Sequence, residues 1–131
     1  KMWTEFERYH FAQIVSSQST MHRLSKMQLD VAFTPYTDSK IIERLQVLQK
    51  RYNEEPNESN FLTLLYSCPT GLDLTARVTT NYRQLKTILK QRHNHKLPEW
   101  CSFCKEIVSQ CPCAYEFLVK GGEKNASNSK D

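Results

Sequence analysis

The chain has 131 residues, of which 39% are hydrophobic and 24% charged. That balance suits a soluble globular protein with room for a core. No apolar run approaches the roughly 20 residues that cross a bilayer, and no signal-peptide pattern is present, so a membrane partner is not expected. The net charge of +4 favours anionic partners but falls short of a polybasic nucleic-acid binder.

In chain order, Met2–Met27 reads as helical, in two segments, with Trp3, Phe6, His10 (or Phe11) and Ile14 as a stripe at helical spacing. The chain starts at Lys1 and runs straight into this pattern. A fragment or a renumbered chain, with an element missing before it, is the expectation. Ser16-Ser17-Gln18-Ser19-Thr20 interrupts the stripe, because small hydroxyl residues prefer caps and bends. A short helix or a distorted continuation follows through Met21-His22-Arg23-Leu24. Ser16–Arg23 therefore packs hydroxyls, an amide, an imidazole and a guanidinium around a helix start. Helix starts bind anions through their free N–H groups, and Arg23 completes such a site. A Ser/Thr-rich cap without a ligand is the alternative.

Gln28–Ser39 reads as a loop with Pro35 and Asp38 as turn residues. Asp38 or Ser39 caps a helix through Lys40–Asn53, with Ile41, Ile42, Leu45 and Leu48 on its apolar face. Asn53–Asn60 is a polar linker, Phe61–Ser67 a short apolar segment, and Pro69-Thr70-Gly71 a turn. Leu74–Thr80 is rich in β-branched residues and reads as a strand.

Arg83–Arg92 reads as a helix on which Leu85, Ile88, Leu89 and Arg92 share a face. A guanidinium stays charged at physiological pH, so a buried Arg92 needs an anion; that makes it a candidate reader of a carboxylate or phosphate in a cleft. Alternatively its stem lies on the apolar face while the charge reaches water. Lys86, Lys90, Arg92 and Lys96 make Lys86–Lys96 locally basic. Pro98 opens the next helix, Glu99–Ser109, where its missing N–H costs nothing, and Pro112 ends it. Tyr115–Val119 reads as a helical turn and 121–131 as a disordered polar tail.

Of the chemical candidates, Cys101-x-x-Cys104 with Cys111-x-Cys113 invites a zinc reading. The second pair is too closely spaced, and Cys101 and Cys104 fall within a periodic apolar helix, so inert thiols in a reducing compartment and no metal are expected. His10, His22, His93 and His95 are candidate general bases, or solvated or core-satisfied histidines. A chain with three glycines, two of them in its tail, has no Gly-rich phosphate loop.

Taken together, these segments resemble the flavin-dependent thymidylate synthases (the ThyX-like superfamily). Those carry W-x-x-[FW]-x-R-H-R and S-x-N-E-x-S-x-R, then N-A-R-S-L, an Arg seven residues later, and an A-Q-x-E-I-R helix. Here stand Trp3, Phe6 and Arg8, then Ser16-x-Gln18-x-x-Met21-x-Arg23 with about three extra residues intervening. Asn81, Arg83, Leu85 and Arg92 follow in register without gaps, and Glu99-Trp100 is similar to the E-I pair. Cys111-Pro112 and Glu116-Phe117-Leu118 resemble the way many members end. The chain also resembles phage and prophage proteins with W-x-E-F, S-T-M-H and H-K-L-x-E-W signatures. The resemblance covers residues 2 to about 120.

The resemblance implies an α+β, helix-rich fold, with 1–120 as a nucleotide-binding domain that lacks the family's N-terminal sheet portion. It implies Arg8, His10, Asn81 and Arg83 on the cofactor FAD, and Ser16, Gln18, Arg23 and Arg92 on a uridine-type substrate, dUMP. Arg23 would meet the phosphate and Arg92 the pyrimidine. NADPH would be the reductant of a retained one-carbon transfer. A homo-oligomer is implied, and a cytoplasmic setting in a bacterial host or phage-infected cell is expected. Three departures stand out: Tyr9-His10 replaces the His-Arg of R-H-R, Ser19 falls at the motif Glu, and Met21 at the motif Ser. They bear on flavin binding and methylene transfer more than on nucleotide binding. The different class they suggest is a non-catalytic phage protein that sequesters a signalling nucleotide. A nucleic-acid adaptor rests on Lys86–Lys96 alone.

Overall fold

The computed structural model describes residues 1–114 and 116. Its elements in chain order are α1 (Met2–Phe6), β1 (Gln13–Ser17), α2 (Thr20–Arg23), a 3-10 turn over Leu24–Lys26, α3 (Ser39–Glu54), α4 (Glu58–Tyr66), β2 (Ala76–Thr79), α5 (Tyr82–Arg92) and α6 (Pro98–Gln110). Strands β1 and β2 pair in one two-stranded sheet. The architecture is helix-rich α+β. The chain forms two compact units, a terminal one (Lys1–Ile14 with Val78–Asp131) and a central one (Val15–Arg77).

In the central unit, α3 begins where Asp38 Oδ1 accepts from Lys40 N at 2.8 Å. This satisfies one of the N–H groups that a helix start leaves without a partner. Asn57 does the same for α4, accepting from Asn60 N at 2.8 Å. The core here is Leu24, Leu29, Phe33, Leu45, Leu48, Leu64 and Leu72. Gln49 Nε2 donates to the carbonyls of Leu24 and Met27 at 2.8 and 2.9 Å, so α3 pins the turn after α2. A Cβ at Gly71 would collide with Thr37 Oγ1, so the Thr37 hydroxyl would have to rotate away. The close approach lets Thr34 N donate to Gly71 O at 2.9 Å beside the Phe33–Leu72 bridge.

In the terminal unit, Asn81 Oδ1 accepts from Gln84 N at 2.8 Å to start α5, and Pro98 occupies the first turn of α6. Leu85 and Leu89 pack with Cys104, Ile107 and Ala114. Ile88 packs with Phe6, Tyr9 and Trp100. The Phe6 and Trp100 rings stack with centroids 5.8 Å apart, and Phe103 meets each edge-on.

Several expectations are corrected. The first of the two expected helical segments stops after Phe6 and gives way to strand β1, whereas the second, expected through Met21–Leu24, is present as α2 and the 3-10 turn. The β-branched pair Ile14-Val15 joins the β-branched β2. Of the expected stripe, Trp3 and Phe6 pack inward, whereas His10, Phe11 and Ile14 are exposed. The linker is shorter than Asn53–Asn60, since α3 reaches Glu54 and α4 starts at Glu58. Ile41 is exposed, unlike its expected partners Leu45 and Leu48. The readings of Tyr115–Val119 and of the tail 121–131 lie outside the described residues, save Glu116.

Replacing Asp38 with Ala should lower stability by about 1 kcal/mol in urea unfolding, whereas Asp38→Asn, which can still cap, should lose at most a few tenths. Equal losses for both would remove the cap as the reason α3 starts there.

Candidate functional site

The terminal unit turns on Arg92, at the end of α5. Its Nη1 donates to Glu5 Oε2 at 2.7 Å, and its Nε donates to the Tyr9 hydroxyl at 2.8 Å. The Arg92 and Glu5 side chains are only 15% and 20% exposed. Trp100 Nε1 donates to the same Glu5 oxygen at 3.0 Å. The Tyr9 hydroxyl passes its own proton to Gln91 Oε1 at 3.0 Å. The guanidinium carbon lies 4.9 Å from the Trp100 ring centroid, within cation–π range.

His95 completes the knot. Leu97 N donates to His95 Nδ1 at 3.1 Å, and a backbone N–H is a fixed donor, so the ring proton sits on Nε2. His95 Nε2 lies 3.5 Å from Glu5 Oε2. Nε2 also lies 2.8 Å from Arg92 Nη1, donor against donor, and Glu5 is the anion that holds both there. Arg92 is therefore held out of bulk water, as expected of a cleft residue, but its anion is internal. The alternative of a guanidinium reaching water does not hold.

Two pockets collect most of the candidate residues, one in each unit. The first, of about 350 Å³, is lined by Arg8, Tyr9, His10, Phe11, Gln84, Thr87, Gln91 and Arg92. Arg8, His10 and Phe11 are exposed at its wall. The second, of about 530 Å³, is lined by Gln18, Arg23, Lys26, Met27, Gln28, Val31, Ala32 and Asp73. Gln18 is anchored there, since its Oε1 accepts from Thr75 N at 3.2 Å. Arg23 and Lys26 give this pocket its positive charge, with Asp73 the opposing carboxylate.

Ser16, Asn81 and Arg83 line neither pocket. Ser16 is exposed on β1, Asn81 spends its side-chain oxygen on the α5 cap, and Arg83 is exposed on the first turn of α5. The helix start expected near Ser16–Arg23 is only the four-residue α2, whose Ser19 cap makes no side-chain bond. A single turn carries little macrodipole, so anion affinity there falls to the side chains of Arg23 and Lys26. The sequence reading missed Glu5, Gln84 and Lys26 as members of these sites. Lys26 had a signal, lying three residues after Arg23; Glu5 stood in the W-x-E-F signature, but nothing in the sequence linked it to Arg92, 87 residues away.

All five cysteines are free. Burial pushes the Cys68 thiol up, and burial followed by the neighbouring Cys101 charge pushes up that of Cys104. Raised thiols hold their protons further into alkaline pH, which makes them poor nucleophiles. Among the described residues, no three His, Cys, Asp or Glu side chains are grouped to hold a metal ion. No described helix is long and apolar enough to cross a membrane.

This arrangement defines a class of fold, and solved structures identify it. The chain has the fold of the flavin-dependent thymidylate synthases. It superposes on flavin-dependent thymidylate synthase ThyX from Helicobacter pylori, complexed with FAD and dUMP, with a TM-score of 0.70 and 17% sequence identity. The match covers 92% of this chain and 66% of that one, so the chain spans just under two thirds of the ThyX length. A second structure of the same enzyme with FAD and dUMP gives a TM-score of 0.65 at 17% identity. No protein-family model matches the chain, and no curated protein matches it by sequence.

Substituting Glu5 with Gln should cost about 2–3 kcal/mol in urea unfolding, because it leaves a nearly buried guanidinium without its counter-charge. A loss below 0.5 kcal/mol would mean the pair behaves as a screened surface contact, a size typical of exposed ion pairs.

Proposed function

We propose that the chain binds a uridine-type nucleotide together with a flavin, through residues 1–120 acting as one nucleotide-binding domain. The observation that carries this reading is the fold. Over 92% of its length the chain matches proteins complexed with FAD and dUMP, and the motif residues Arg8 and His10 line one pocket while Gln18 and Arg23 line another.

The residues suit the groups. In the terminal unit, exposed Arg8 can meet a phosphate, and Phe11, 71% exposed, offers an aromatic face to a planar ring. These residues, with His10, would hold FAD. In the central unit, Arg23 and Lys26 would hold the nucleotide phosphate. Bound flavin would supply the redox chemistry of a one-carbon transfer to dUMP with NADPH as reductant. This chain's contribution is charge, orientation and exclusion of water.

The second reading, a binder without chemistry that sequesters a nucleotide, has its own observation. Tyr9, at the position of the motif histidine, is buried and bonded to Arg92 and Gln91, and Arg92 itself is held by Glu5. Arg92, which the resemblance assigns to the site, and the residue at the motif-histidine position are thus both spent inside the fold. A homo-oligomer fits the exposure of Val31, Tyr36 and Tyr66 in the central unit, at 72%, 80% and 85%. The free thiols fit a reducing, cytoplasmic compartment.

Titration calorimetry tests the reading. dUMP should bind and deoxyuridine should bind far less well. Arg23→Ala should weaken dUMP by roughly 1.5–3 kcal/mol, the size of a hydrogen bond to a charged group. Arg23→Lys should recover part, because a point charge lacks the planar two-point contact. Equal affinity for nucleotide and nucleoside would overturn the phosphate assignment.

A further inference from the structure

We propose that Gln84 is the residue that reads the ring of the bound ligand, selecting a planar heterocycle that carries an imide edge, –CO–NH–CO–. This deepens the function proposed above and rests on it. Gln84, Thr87 and Gln91 recur on α5 at three- and four-residue steps, so the stripe of helix facing the terminal unit's pocket is polar throughout. Two of the three already hold a side-chain bond within the fold. Thr87 Oγ1 donates to Arg83 O at 3.2 Å, and Gln91 Oε1 accepts from the Tyr9 hydroxyl. Arg92, on the same wall, has its Nε and Nη1 occupied.

Gln84 differs. It is 8% exposed, and among the described residues its side-chain amide has no hydrogen-bond partner; only its backbone N–H is used, by the Asn81 cap. The amide is not among the fully buried unpartnered atoms, so it meets the solvent of the pocket it lines, and its bonding groups are open to whatever enters there. A ligand that enters can exchange that water for a direct, two-point contact. The amide presents a C=O and an N–H₂ side by side. An imide edge presents N–H beside C=O, the complementary pair. The pocket, at about 350 Å³, is of ligand size, and Phe11 at its wall can stack on a flat ring. Both a flavin isoalloxazine and a uracil carry this edge, and the experiment separates the two.

Wild type, Gln84→Met and Gln84→Leu are titrated with FAD and with N3-methyl-FAD, and separately with dUMP and N3-methyl-dUMP, the methyl group blocking the imide N–H in each case. Thermal midpoints of the three proteins are recorded without ligand. The expected result is that wild type prefers one imide ligand over its N3-methylated counterpart by about tenfold or more. Both variants should lose that preference. The ligand whose preference collapses, FAD or dUMP, identifies the source of the ring. The midpoints should stay level, because the side-chain amide makes no bond within the described fold that either variant would lose. A structural role predicts the reverse, a lower midpoint, or failure of both variants to fold, and either result overturns the proposal. Unchanged FAD and dUMP affinities in both variants overturn it while leaving the proposed function standing. A wild type that binds neither FAD nor dUMP removes that function and this assignment with it.

Discussion

An arginine cannot shed its charge, and Arg92 is fixed by the apolar spacing of α5 among buried side chains. Its counter-charge has to be supplied inside the terminal unit. Glu5 supplies it, and the rest of that unit follows from bringing Glu5 there. Helix α1 is one short turn whose Phe6 stacks on Trp100, which sets the adjacent Glu5 against the guanidinium. Trp100 then closes the second bond to the carboxylate, and Tyr9 takes the remaining Nε. Segments at opposite ends of the sequence are joined by one carboxylate oxygen. A partly desolvated pair of this kind contributes less through its attraction than through the penalty for breaking it. It therefore specifies where α1 packs more than it raises stability.

That constraint redistributes function. With Arg92 and Tyr9 committed internally, the pocket beside them is left with Arg8, His10, Phe11 and the Gln84 amide as groups free to meet a ligand. These groups suit the proposed recognition of a flat polar ring and a phosphate. In the central unit, Arg23 and Lys26 offer charge without a long helix behind them. Both pockets have the makings of binding sites, and neither displays an assembled acid–base or nucleophilic group.

Much of the fold was legible in the sequence wherever local chemistry agreed with packing. Asp38 and the Pro98 start signalled α3 and α6, because caps and first-turn prolines act within a few residues. The face of Leu85, Ile88, Leu89 and Arg92 was legible because α5 obeys a single period. The stretch after Phe6 was not. Its apolar residues fit a helical stripe, but Ile14 and Val15 also suit a strand, and pairing with β2, some sixty residues away, decided between them. Distance hid Glu5 for the same reason: no spacing rule links it to Arg92. Gln84 was passed over because it occupies a motif position with a residue unlike the motif's own, and its unpaired state is visible only in three dimensions.

The central claim is that this fold still holds the flat, charged ligands its architecture is built around. The most direct measurement is the visible absorbance spectrum of the purified protein after equilibration with FAD and removal of free flavin, with and without dUMP. The account predicts retained flavin absorbance near 450 nm, the ordinary flavin band, and a perturbation of that band on adding dUMP. A colourless protein that also leaves dUMP unbound would contradict it, leaving the shared architecture as a matter of fold alone.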